Sequence, residues 1–335
     1  MTTGSAEQDR GEGHYGRGAV REVCVIGGNR YFGKRLIARL TAAGDRVTVI
    51  NRGSSAPPVG TIHLVADRND ENSLENALGS RTFDVVVDQV CYTPRQAEIA
   101  RRVFAGRTRR YVMTSTVEVY EYEDSADLVR EDAVNPRTVP VDLELPWDEP
   151  EFLDTHYGEG KRQAEAVFAA GPEFPYVAVR VAHVLGGDDD FTGRLDHYAE
   201  RIRAGEAIAV PATNHPATYI HVEEIADFLA WVAGETFTGP VNAASHGVLT
   251  TGELCEALTE HLSGGRTEFR SEFRSEFRSV FQAVFRSVEV GEFSPFSFTR
   301  SYGMDNARAT RLGFAFGEAR EWLPRAVAET LGKVN

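Results

Sequence analysis

The chain of 335 residues has only three cysteines, Cys24, Cys91 and Cys255, and their wide spacing makes no metal-binding pattern. Cys24 and Cys91 fall inside apolar, strand-like runs, which reads as buried structural thiols and suits a reducing cytoplasm. No apolar run approaches the roughly 18 residues that a membrane span needs. Met1 to Arg21 is polar and Gly-rich and has no hydrophobic stretch, so residues 1–21 read as a disordered tail, neither signal peptide nor anchor. Positive charge is also scarce. The net charge is −14, whereas a nucleic-acid binder relies on a basic face for its phosphate contacts. Arg101, Arg102, Arg107, Arg109 and Arg110 form the one Arg-dense spot outside a repeat near residue 270, and they bracket a helix end as a solvated surface would. Neither a nucleic acid nor a membrane is expected as a partner, and a cytoplasmic location is.

What is present is an alternation of buried strands and amphipathic helices. Val23–Gly27, Arg46–Ile50, Asp84–Val90, Arg110–Met113 and Tyr176–Val181 read as strands. Helical patterns run from about Tyr31 to Ala43, Pro94 to Phe104 and Tyr157 to Ala170. Val/Ile runs without strict alternation suit a parallel sheet covered on both faces. Strand-helix-strand order with short loops predicts an α/β, Rossmann-type doubly wound parallel sheet. Beyond Gly186 the rhythm breaks and a smaller, discontinuous region begins. Within it, Thr267–Ser287 carries a TEFR/SEFR/SEFR repeat with Phe every fourth residue. A helix or a strand both accommodate that pattern, as core packing, a lid or a subunit contact.

The first strand runs into Gly27-Gly28-Asn29-Arg30-Tyr31-Phe32-Gly33. Glycines at such a strand-to-helix turn let backbone N–H groups approach a pyrophosphate at the helix N-terminus. Gly27, Gly28, Arg30, Tyr31, Phe32 and Gly33 are therefore candidate cofactor contacts. The second strand ends at Asn51-Arg52, where an acid would bind the ribose 2′-hydroxyl of NAD and an Arg accommodates a 2′-phosphate. Arg52, with Arg30 in support, favours NADP(H) over NAD(H).

Tyr157 and Lys161 stand four residues apart, on one face of a helix. A tyrosine titrates at about 10 and needs a nearby positive charge to exchange a proton with an alcohol or ketone near neutral pH. Lys161, together with a nicotinamide's own charge, meets that need. The hydroxyl-rich strand end Thr114-Ser115-Thr116 precedes the pair.

With these motifs in order, Val23 to Gly313 resembles the extended short-chain dehydrogenase/reductase family, the sugar epimerase/dehydratase group. The resemblance implies several roles. Thr116-Val117-Glu118-Val119-Tyr120 matches the hydroxyl motif and makes Thr116 the third catalytic residue beside Tyr157 and Lys161. Asp67 falls where an acid contacts adenine, Val90-Cys91 where backbone lines the cofactor, and Thr114, Lys161 and Val184 beside the nicotinamide. Arg180–Gly186 and Tyr219–Ala226 match later landmarks, with His221 as a structural residue at a helix start. Glu118 and His183 are candidate substrate contacts. The implied division is a dinucleotide-binding part, residues 22–186 plus 219–244, and a substrate-binding part, residues 187–218 plus 245–335. A homodimer is left open, and the consecutive Asp188, Asp189 and Asp190 read as a solvated loop, with no metal expected.

Three departures refine the expectation. The turn is G-G-x-x-x-x-G, as in the atypical branch that includes chloroplast stem-loop RNA-binding proteins, yet the active-site set is retained. Val117 replaces the acid that sugar dehydratases carry. Ala217 stands where relatives place an Arg for the substrate diphosphate, leaving Arg194, Arg201 or the repeat's Arg270, Arg274 and Arg278 to compensate. The reading is a reductase or dehydrogenase acting on a secondary alcohol or ketone of a polar, sugar-like small molecule. The alternatives are a nucleotide-sugar epimerase that retains its cofactor and a non-catalytic RNA-binding relative.

Overall fold

Strands form where β-branched residues run without interruption. β1 (Glu22–Ile26), β2 (Arg46–Asn51) and β4 (Val85–Asp88) are nearly all Val, Ile and Cys at their centres. The computed structural model describes residues 20–332, apart from residues 55, 124, 126, 265–280 and 290–292. Residues 1–19 of the expected tail and most of the Phe repeat lie outside the described residues. α1 (Phe32–Ala42) follows β1, and β3 (Ile62–Val65) and α2 (Glu71–Leu78) precede β4. α3 (Pro94–Phe104), β5 (Tyr111–Thr116), α4 (Pro150–Thr155), α5 (Tyr157–Ala170) and β6 (Tyr176–Val181) complete the first run. The second comprises β7 (His183–Leu185), α6 (Arg194–Ala204), β8 (Ala207–Pro211), β9 (Ala217–His221), α7 (Val222–Val232) and β10 (Gly239–Ala243). It continues through β11 (Val248–Leu249), α8 (Thr251–Leu262), β12 (Val284–Val288), α9 (Ala307–Leu312) and α10 (Ala319–Leu331).

Side chains at successive positions of a strand point to opposite faces, and here both faces are covered. Val23, Val25, Val47 and Val49 pack in one core with Leu36, Ile37 and Leu40 of α1 and Phe228 and Leu229 of α7. Cys24, Ile26, Val86 and Met113 join the other core, beneath Leu74, Val103, Phe104 and Val167 of α2, α3 and α5. The result is one seven-stranded parallel sheet of order β10-β6-β5-β4-β1-β2-β3. All three cysteines are buried and free. The order reverses between β1 and β4, which opens a crevice at the carboxyl ends of the strands.

The sequence reading passed over β3 and α2. β3 is a short edge strand with no fully buried residue, so its composition lacks the apolar run that marks β1. A three-stranded sheet, β11-β9-β7, and a two-stranded pair, β12-β8, adjoin the main sheet. Their core gathers α6, α8 and α10 through Leu195, Leu254 and Leu323. The described end of the Phe repeat is strand, in parallel register with β8 (Phe285 opposite Ile208). No helix among the described residues is long and apolar enough to cross a membrane.

An ion pair is buried between β6 and α5. Arg180 on β6 and Glu165 on α5 are 0% and 1% exposed and meet through three contacts, the shortest 2.7 Å. Ser115 Oγ donates to the same carboxylate at 2.6 Å, and Arg180 Nη1 donates to the Tyr120 hydroxyl at 2.8 Å. That hydroxyl in turn donates to Asn242 Oδ1 on β10 at 2.7 Å. Removing one partner strands a buried charge, so Glu165→Ala should cost about 3–5 kcal/mol in urea unfolding. Arg102→Ala, which breaks a half-exposed pair with Glu71, should change stability by less than about 1 kcal/mol in the same assay.

Candidate active site

The turn after β1 is shaped for something to lie on it. Gly27 and Gly28 both have φ of +83°, in the left-handed region. A Cβ on Gly33 would meet Gly28 Cα at 2.5 Å and Gly28 O at 2.8 Å, so only glycine permits this crossing of turn and helix. α1 begins at Phe32 with no side-chain cap; Gly33 N and Lys34 N donate to the turn's own Arg30 O (3.0 Å) and Tyr31 O (3.2 Å), and the positive end of the helix dipole faces the turn. Tyr31 turns inward: its hydroxyl donates to Gly186 O at 2.7 Å. Arg30 is exposed, its guanidinium 5.8 Å from the Phe191 ring.

Further along the crevice, Arg52 is exposed just past β2, and Asn51 Nδ2 is buried without a partner although its Oδ1 accepts from Gly53 N. Asp67 is exposed after β3, and Val90 and Cys91 follow β4, with Val90 N donating to Asp88 Oδ1 at 3.0 Å. Thr114 Oγ1 and Gln89 Nε2 are likewise buried and unpartnered. A glycine cradle at a helix N-terminus, flanked by unsatisfied polar groups, fits a dinucleotide. Beneath it Asp88 receives Arg68 and the Tyr111 hydroxyl (2.7 Å) in a buried cluster that the sequence did not reveal. Asp189 binds Arg35 at 2.7 Å. Among the described residues no group of acids, histidines and cysteines gathers as a metal ion needs.

Tyr157 opens α5 and Lys161 follows one turn later, as the spacing predicts. Lys161 is 1% exposed; its Nζ donates to Thr114 O at 2.7 Å and lies 4.5 Å from the Tyr92 ring centroid. Burial pushes its pKa down to about 8, against the nearby Cys91 and Asp88. Thr116 Oγ1 accepts from Glu118 N, and Thr116 stands near enough to the Tyr157 hydroxyl to favour its ionised form. In the ligand-free protein burial, reinforced by Tyr92, raises the Tyr157 pKa above the ordinary value, outweighing Thr116 and Arg194. Without a bound dinucleotide the phenol is a protonated acid.

The other wall of the cleft is aromatic. His183 on β7 stacks on Phe298 at 5.0 Å and lies within 6 Å of Phe296, Tyr219 and Tyr302. Burial, then Arg194, drives its pKa down to about 3, so the imidazole is neutral, and its Nε2 has no partner. Glu118 accepts the Tyr302 hydroxyl at 3.0 Å. Val184, beside His183, is half-buried. His221 has the structural place expected of it: Nδ1 accepts from Glu223 N to cap α7, and Nε2 pairs with Glu329 at 3.0 Å. Sequence reasoning missed Tyr92, Tyr219, Arg300 and Tyr302, which reach the cleft from segments with no motif assigned to the site or, for Tyr219, from a landmark read only for its fold.

A seven-stranded parallel sheet covered by helices on both faces, with a Gly-rich turn after its first strand, is a Rossmann-type α/β fold. Residues 23–106 match the NAD dependent epimerase/dehydratase family. The enzyme WbmG of Bordetella bronchiseptica, solved with NAD and UDP, superposes with a TM-score of 0.70 at 15% identity, over 96% of each chain. UDP-glucose 4-epimerase of Thermotoga maritima, solved with UDP-glucose, gives 0.67 at 17% identity, over 94% of this chain and all of that one. A chloroplast stem-loop binding protein of 41 kDa, form b, from Arabidopsis thaliana is 23% identical over 247 residues, 68% of this chain. The chain spans 59% of that relative's length.

The buried lysine yields a stability test. A base whose folded pKa is lowered from 10.5 to about 8 destabilises the fold while charged, and that penalty is relieved as pH rises between those values. From pH 8 to 10 the ligand-free protein should gain on Lys161→Met by a few kcal/mol, at about 1.4 kcal/mol per unit. Urea midpoints of the two proteins across that range measure the difference; parallel curves would refute it.

Proposed function

We propose that the protein is an NAD(P)(H)-dependent oxidoreductase that interconverts a secondary alcohol and a ketone on a polar, sugar-like small molecule. The observation that carries this reading is Tyr157 at the head of α5, beside Thr116, with the Lys161 ammonium buried one turn away and bonded to Thr114 O. Gly27, Gly28, Gly33 and the start of α1 hold the pyrophosphate, Asn51 and Arg52 the adenosine ribose end, and Thr114, Val184 and Lys161 the nicotinamide end. Residues 187–218 and 245–335 supply the substrate side. A bound nicotinamide supplies the two-electron transfer at the substrate carbon.

The chain's own residues manage the proton. In the reducing direction the protonated Tyr157 gives its proton to the carbonyl oxygen, which Thr116 Oγ1 helps to orient. Lys161 stabilises the phenolate left behind, a role that requires its charge. In the oxidising direction the same charges must first draw down the raised pKa of Tyr157. A retained-cofactor epimerase is the second reading, supported by the nucleotide-sugar epimerases among similar folds. An RNA-binding role, as the name of the Arabidopsis relative suggests, is disfavoured by the net charge of −14.

Tyr157→Phe should leave cofactor affinity nearly unchanged and lower turnover by roughly 10²–10⁴-fold, the range assigned to general acid-base catalysis. Full turnover in the variant would exclude Tyr157 as the acid. NADPH oxidation in proportion to product distinguishes a reductase; product without loss of nicotinamide absorbance would favour the epimerase. Because Arg52 replaces an acid, NADPH should bind more tightly than NADH in calorimetry, and Arg52→Ala should narrow that gap. Equal affinities in the unaltered protein would refute the preference.

A further inference from the structure

Lys161 lies in a site that offers its ammonium no free carboxylate. The charged and titratable groups that face it are Asp88 at the end of β4, Cys91 just after it, Arg68 from the loop between β3 and α2, Glu165 on α5, and the rings of Tyr92 and Tyr157. Both acids are already engaged. Asp88 holds Arg68 and the Tyr111 hydroxyl, and Glu165 holds Arg180 and Ser115. The hydrogen bond of Lys161 Nζ goes instead to a neutral carbonyl, Thr114 O.

The face of the Tyr92 ring covers what remains. Nζ lies 4.5 Å from its centroid, against 5.8 Å for the Tyr157 ring, and the two rings stand 6.1 Å apart. Tyr92 is held from both sides. Its N–H donates to Gln96 Oε1 of α3 at 2.6 Å, and its carbonyl oxygen lies so near α5 that a Cβ on Gly160 would meet it at 2.5 Å. The negative face of an aromatic ring attracts a cation, and the attraction grows where water is excluded. An aliphatic side chain fills the same space without that field.

We propose that Tyr92 is a positioning residue: the face of its ring seats the Lys161 ammonium where a counter-ion would otherwise stand, and so keeps the charge beside Tyr157. This rests on the oxidoreductase reading and adds to it a residue that acts through Lys161.

The test first reads the lysine's charge in the ligand-free full chain, apart from turnover. Urea midpoints of each protein and of its Lys161→Met counterpart are compared from about pH 6 to 10.5, and the pH at which the gain in stability sets in marks the folded pKa of Lys161. The seat favours the charged form, so its loss moves that onset to lower pH. Tyr92→Phe keeps the ring and should keep the onset of the unaltered chain. Pentafluorophenylalanine at position 92, similar in shape but with the quadrupole reversed, should lower the onset by about one pH unit, a ten-fold change in the protonation equilibrium. Tyr92→Leu should do the same, and if that variant fails to fold the fluorinated ring decides. The alkaline limit of kcat should fall with the fluorinated ring and be restored by Phe. An onset that stays or rises with the fluorinated ring would overturn the proposal, as would a lowered onset with an unmoved alkaline limit. Absence of turnover in the unaltered chain refutes only the oxidoreductase reading, because the ligand-free measurement needs no substrate.

Discussion

The ammonium of Lys161, carried into the junction of α5 and β5 and bonded to Thr114 O at 2.7 Å, sets the geometry on which the rest of the cleft depends. A charge buried at that depth is tolerated only where fixed dipoles and π-electrons replace water, and the Thr114 carbonyl and the Tyr92 ring do so here. The bond fixes the rotation of α5 against β5. That rotation decides that Tyr157, one turn earlier, meets Thr116 at the strand's end. The small residues on this helix serve the same contact: a Cβ on Gly158 would meet Glu118 O at 2.5 Å, and one on Gly160 would meet Tyr92 O at 2.5 Å. The helix sits close because it has nothing to keep it away.

The features legible in the sequence were those whose determinants are local. The strand β1, its glycine turn, the uncapped α1 and the i,i+4 spacing of Tyr157 and Lys161 all depend on neighbours a few residues away. β3 escaped because an edge strand needs one buried face at most, and its residues Ile62–Val65 bury neither fully. The site was half legible. Tyr157 and Lys161 carry their meaning in spacing and Thr116 in the motif resemblance, whereas Arg300 and Tyr302 gain theirs only when a loop some 180 residues further on is bonded to Thr218 of β9 and to Pro216 just before it.

The two sides of the crevice are joined by a chain of polar contacts. Tyr31 reaches from the glycine turn to Gly186 O, Gly187 N donates to Glu329 at 2.8 Å, and Glu329 accepts His221 at the head of α7. The glycine turn is thereby tied to α10, the last helix among the described residues. Tyr31 has φ of +51°, an uncommon conformation for a residue with a side chain, and its bond to Gly186 is what holds it there.

The pairing of β10 with β6 has a consequence for how the chain can be divided. β10 arrives after β9 has already been laid in another sheet, yet it closes the flank of the main one and delivers Asn242 to the Tyr120 hydroxyl. A fragment ending before Gly239 would keep every residue of the glycine turn and the Tyr–Lys helix. It would also bare the unpaired backbone of β6, an open template for another chain, and leave the Arg180 network short of a member. Residues 22–238 thus leave the main sheet open along β6, and minimisation or domain exchange must carry residues 239–243 with them.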